Sequence, residues 1–226
     1  MMNQSTKLYI YGVVGLGILA VGNSLSQLHV DNPTLFALLA VLAILGGALK
    51  IRVPGVDGNL SLSFVPMILS AMLISLPETV LITVAATLVQ ATAFVKKRKP
   101  LQIAFNCSAL AVSIGLGSIV GATVATQNVP LIQLVLTAVT FYLVNSALIA
   151  TVIGMVANRP LLEIWNECLH LYLPFFASGL ACAMMAFTGV TPDERRSLQY
   201  PGIAILPLML LIRQYIKTNH RTPANI

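Results

Sequence analysis

"MLISLPETVLI", Met72 to Ile82, decides how many times this chain crosses a membrane. It reads either as one long kinked helix or as the meeting of two. Proline suits a first helical position and an acid suits a helix N-terminus, so Pro77 and Glu78 favour a new helix. The apolar runs on either side then divide into Leu62 to Leu76 and Pro77 to Val95, the first short enough to need little tilt.

Composition sets the wider frame. Of 226 residues, 57% are hydrophobic and 9% charged, against about 25% charged in soluble domains. The mean hydropathy is +0.88. The fold class expected is therefore all-α: a polytopic integral membrane helical bundle forming a single transmembrane domain over residues 1–226. With about 20 apolar residues per span, eight spans fit: 8–27, 33–49, 62–76, 77–95, 101–126, 131–156, 171–190 and 199–216.

The cations test this drawing, because cytoplasmic loops accumulate Lys and Arg. With both termini cytoplasmic, the inner segments carry Lys7, Lys50, Arg52, Lys96, Lys97, Arg98, Lys99, Arg159, Arg213, Lys217 and Arg221. Only Arg195 and Arg196 of the 13 cations fall outside. Merging the third and fourth spans scatters the later cations to both faces. The net charge of +6 thus reads as membrane orientation, and no nucleic-acid partner is expected. Lys96 to Lys99 are assigned as a topology and lipid anchor, with docking of an acidic partner as the alternative.

Two connections carry their own structure. Ile51 to Phe64, with Pro-Gly and Asp-Gly turn signals, predicts a small hairpin before the third helix. Leu161 to Leu169 places Leu161, Leu162, Trp165 and Leu169 on one helical face, predicting a separate interfacial helix anchored by Trp165. Thr191, Pro192 and Glu194 predict a short outer helix.

Enzyme signatures are missing. There is no HExxH, GxSxG or Walker loop, and the seven acids all fall at loops or helix ends, so neither catalysis nor a proton relay is expected. Cys107, Cys168 and Cys182 have no paired spacing, and Cys168 with His170 makes only a fragment of a metal site. No metal and no cofactor is implied. The polar residues within spans are neutral, and Gln90, Asn106, Tyr142 and Asn145 are the candidate ligand-binding set. The competing role for Asn106 and Asn145 is an interhelical clamp. Counted from the cytoplasmic ends of their helices, they lie roughly 9 and 17 Å deep. Ser113, Gly117 and Gly121 recur every four residues, a spacing that lets helices approach closely.

The order "SLSFVPMILSAML", "LPETVLITVAATL", a basic turn, "LQIAFNCSALAVSIGLG" and "FYLVNSALIATVIGM" resembles the multi-span sensor regions that precede bacterial GGDEF, HD-GYP and histidine-kinase signalling domains. Phe105-Asn106, Tyr142-x-x-Asn145 and Trp165 carry the likeness. It implies a sensor or small-ligand-binding bundle in a bacterial cytoplasmic membrane. Because "QYIKTNHRTPANI" follows the last span without output-domain residues, the expectation is action through a separate signalling partner. The third and fourth spans, broken at proline, are also similar to the substrate-binding subunits of energy-coupling-factor vitamin transporters, which implies an ATPase partner. Those subunits commonly have six spans. A structural subunit of a membrane complex is the third reading, and oligomeric state is left open.

Overall fold

The computed structural model describes residues 3–48, 50–52, 59–92, 99–124 and 130–188. Among them are seven α-helices: α1 (Gln4–Ser26), α2 (Pro33–Ala48), α3 (Phe64–Leu73), α4 (Leu76–Thr92), α5 (Pro100–Val124), α6 (Pro130–Ala157) and α7 (Leu161–Thr188). The expected hairpin is present, with strand β1 (Lys50–Arg52) antiparallel to β2 (Asn59–Ser61) and Ile51 opposite Leu60. The span expected at 199–216, the outer helix near Thr191, and the side chains of Cys168, His170 and Cys182 lie outside the described residues.

Three helices, α1, α5 and α6, are long and apolar enough to cross a membrane. The others that are apolar, α2, α3 and α4, are shorter. At 1.5 Å per residue, α5 and α6 run about 37 and 42 Å, and α3 only about 15 Å. The starts follow local chemistry. Asn32 Oδ1 accepts from Leu35 N at 3.0 Å, capping α2 behind Pro33, while Pro100 and Pro130 open α5 and α6 with φ already set for a helix.

The break in the opening stretch falls at Ile74–Ser75, two residues before the expected division. Ile74 is extended, with φ −132° and ψ 177°. Ser75 and Glu78 then form a reciprocal cap: Ser75 N and Oγ donate to Glu78 Oε2 at 2.9 and 2.7 Å, and Glu78 N donates to Ser75 Oγ at 3.4 Å. This is the capping box, and it puts Pro77 at the second helical position.

The glycines at the end of α2 orient the hairpin made by α3 and α4. Leu62 N donates to Gly46 O at 3.2 Å, and a Cβ on Gly46 would lie 2.8 Å from Ser63 N. On Gly47 it would lie 2.6 Å from Ala86 O. The start of α3 and the end of α4 therefore meet the same end of α2. α3 leaves that level, turns at Ser75 about 15 Å away, and α4 returns. All six residues from Val65 to Ser70 are buried, and α3 packs against α2, α4, α5, α6 and α7.

A second correction concerns α7. The interfacial helix expected at 161–169 and the span expected at 171–190 are one continuous helix. No turn chemistry separates His170 from Leu171, and although Pro174 lacks the N–H that would serve His170 O, the helix runs on through it. The buried residue of the first turn is Ile164, whereas Leu162 is 75% exposed. α6 stops because Asn158 adopts φ 54° and Arg159 N reaches back to Gly154 O at 3.0 Å, a left-handed helix end with Asn in the usual glycine place.

Candidate functional site

α5 and α6 pack antiparallel through small residues. A Cβ on Gly117 would lie 2.6 Å from Thr137 O and 3.3 Å from Phe141 N, and one on Gly121 would lie 2.9 Å from Gln133 O and press on Thr137 Oγ1. Continued along both helices, this register puts Asn145 near the level of Ala111 and Asn106 near that of Ala150. The two asparagines sit roughly 7 Å apart along the axis. Asn145 Oδ1 is buried with no hydrogen-bond partner, so the expected clamp does not close on it.

Tyr142 and Asn145, one turn apart on α6, do belong to one region. Tyr142, 8% exposed, stacks on Phe176 of α7 with ring centroids 4.4 Å apart. Phe64, the first residue of α3, lies 5.0 Å from Phe176 and 5.6 Å from Phe141. Gly179 makes room for it, since a Cβ there would meet the Phe64 ring at 2.9 Å. Three helices thus converge on four aromatic rings, and the unsatisfied amide oxygen belongs to a residue about one turn further along α6. Such an environment suits a flat, largely apolar molecule with a hydrogen-bond donor.

The remaining candidates sit elsewhere. Gln90 is half-buried near the end of α4, its backbone N 3.6 Å from where a Gly47 Cβ would be. Asn106 is half-buried on the early part of α5, between Phe105, whose ring lies 6.2 Å from that of Tyr9, and the buried Cys107. Lys96, Lys97 and Arg98 lie outside the described residues; Lys99 is exposed, and its carbonyl accepts from Ile103 N at 3.1 Å. Trp165 is half-buried on α7, with Nε1 enclosed and without a partner.

One buried acid escaped the sequence reading. Glu78, placed there at a helix end, is only 2% exposed, and its Oε1 is buried with no partner. The Ser75-x-x-Glu78 spacing marks its cap; only the hairpin of α3 and α4 makes it an acid inside the bundle. Among the described residues, no group of three or more His, Cys, Asp and Glu is arranged to hold a metal ion.

One family model, MASE9, matches residues 35–188, which covers α2 through α7 and leaves α1 outside. No curated protein and no solved structure matches the chain.

Proposed function

The chain belongs to the MASE9 family of membrane-associated sensor domains, and from that premise we propose a multi-pass sensor of the bacterial cytoplasmic membrane that binds a small molecule and catalyses no reaction. The aromatic cluster of Phe64, Phe141, Tyr142 and Phe176 with Asn145 is the proposed receptor, because the rings join α3, α6 and α7 and the unpartnered Asn145 Oδ1 lies about one helical turn along α6 from Phe141 and Tyr142. A ligand seated there changes how α3 and α7 pack on α6, and a partner reads that change on the cytoplasmic side, to which the positive-inside rule assigns Lys50, Arg52 and Lys96 to Lys99.

The topology proposed has both termini cytoplasmic, with six full crossings and, in place of two of the eight expected, α3 and α4 as a re-entrant hairpin whose turn stays inside the bilayer about 15 Å from where it entered. The shared level of Gly46, Leu62 and Ala86 supports it. An α3–α4 hairpin that leaves and returns to one level keeps both basic groups on the same side, as the positive-inside rule requires.

Native mass spectrometry of the chain extracted in mild detergent tests the reading. The expected result is a bound small molecule that is lost in Asn145→Leu and Tyr142→Ala while the protein stays folded. Accumulation of a solute in proteoliposomes driven by an ATPase module would instead make the chain a transporter subunit and sink the sensor assignment.

A further inference from the structure

Of the acids the structure describes, Asp31, Glu163 and Glu167 are exposed and ion-paired. Glu78 alone is buried, and it has no ion pair. Its two oxygens have different fates: Oε2 takes both Ser75 donors, and Oε1 is enclosed without any. An ionised carboxylate removed from water needs a counter-charge or further donors.

The backbone at the break adds acceptors. In a continuous helix Ser75 N would donate to Ala71 O, but it goes to Glu78 instead. Glu78 N would serve Ile74 O, but it goes to Ser75 Oγ. Leu73 O loses its donor outright, because Pro77 has no N–H. The C-terminal end of α3, carrying the negative pole of the helix, thus stops two residues before Ser75, whose N bonds the carboxylate that caps α4. Interrupted helices inside membranes coordinate cations in this way, with unwound carbonyls and C-terminal helix ends.

We infer that the α3–α4 break binds a small monovalent cation, held by Glu78 Oε1 and the last carbonyls of α3. The donors are all hard oxygens, which suits an alkali cation. A single carboxylate balances one positive charge, whereas divalent sites gather several. Residues 71–75 are half-buried and Leu76 is 36% exposed, so the break lies towards the periphery of the bundle. The assignment holds whether the bundle senses or transports.

The test uses the full chain in detergent, with NaCl, KCl or LiCl compared against N-methyl-D-glucamine chloride at equal ionic strength. One of the three small cations should raise Tm by roughly 5–10 °C at about a hundredfold excess over its dissociation constant. Glu78→Gln, which keeps the cap and removes the charge, should abolish the rise. Equal responses to all four salts, or a rise retained in Glu78→Gln, would overturn the site. If the variant does not fold, labelling of the native chain by a hydrophobic carbodiimide decides: the stabilising cation should protect Glu78, read by peptide mass spectrometry. Labelling that depends on pH alone would mean that a proton, not a metal cation, fills the break.

Discussion

α5 with α6 and α3 with α4 are both antiparallel helix pairs, and they meet the same bilayer by opposite means. α5 and α6 are unbroken over 25 and 28 residues, and glycines bring their backbones together. α3 and α4, at 10 and 17 residues, reverse direction inside the bundle. In lipid every backbone polar group must be satisfied internally. A long pair does this within each helix; the short pair recruits Ser75 and Glu78. The first arrangement is therefore sensitive to volume, the second to polarity.

The largest effect should come from filling the α5–α6 seam. Gly117→Leu places a branched side chain where even a Cβ lies 2.6 Å from Thr137 O, and size-exclusion profiles should show loss of the monodisperse protein. Gly117→Ala should fold with a penalty of about 1–3 kcal/mol in thermal unfolding. Gly115, two residues away, has nothing within 4 Å of its Cβ position. Gly115→Ala should therefore be neutral or stabilise by up to about 1 kcal/mol. Matching losses at both glycines would mean that the seam is not where close packing resides.

The α3–α4 pair should respond to polarity, read by comparing a truncating with a near-isosteric change at Glu78. Glu78→Ala removes the acceptor for Ser75 N and Oγ and should cost about 1–2 kcal/mol. Glu78→Gln keeps an acceptor oxygen and should retain most of that stability in a medium of N-methyl-D-glucamine chloride. An equal loss in both variants would assign the stabilisation to charge and not to the cap.

Most helix starts were legible because prolines mark them: α2, α5 and α6 begin at or one residue from their expected positions. The turn at Ser75 was legible in kind but displaced, because Pro77 is the louder signal and the reciprocal Ser75–Glu78 bonds decide the boundary. The union of the interfacial stretch with α7 was not legible, since a change from amphipathic to apolar alters the surroundings of a helix without interrupting its backbone. The burial of Glu78 was hidden for a similar reason. A residue at a helix end is exposed by default, and the packing of α4 among α1, α2, α3 and α5, within which this end is buried, is recorded in no local pattern. For the candidate site, the sequence indicated Tyr142 and Asn145 together. The aromatic partners Phe64 and Phe176 come from helices whose order in space no local pattern records.

A smaller effect separates hydroxyls that are bonded from those that are stranded. Thr137 is fully buried with Oγ1 unpartnered, whereas the Thr87 hydroxyl donates to Thr83 O at 2.6 Å. Replacing an unsatisfied hydroxyl with a methyl of similar shape removes a desolvation penalty. Thr137→Val should stabilise by about 1 kcal/mol in chemical unfolding, and Thr87→Val should lower stability by a similar amount. The sign difference is the point of the pair.

The smallest effect belongs to the α6–α7 turn, where ions look important and backbone geometry governs. Arg159 reaches Glu163 and Glu167 at 2.6 Å each, and bonds to Glu167 first and Glu163 second raise its pKa above the ordinary arginine value. All three groups are solvent-exposed, so water and salt screen their attraction. The reversal of the chain is already closed by Asn158 and by Arg159 N on Gly154 O, neither of which needs the guanidinium. Arg159→Ala should therefore leave Tm unchanged within error, at both low and high salt. A salt-dependent drop would show that this turn, like the break at Ser75, is held by charge.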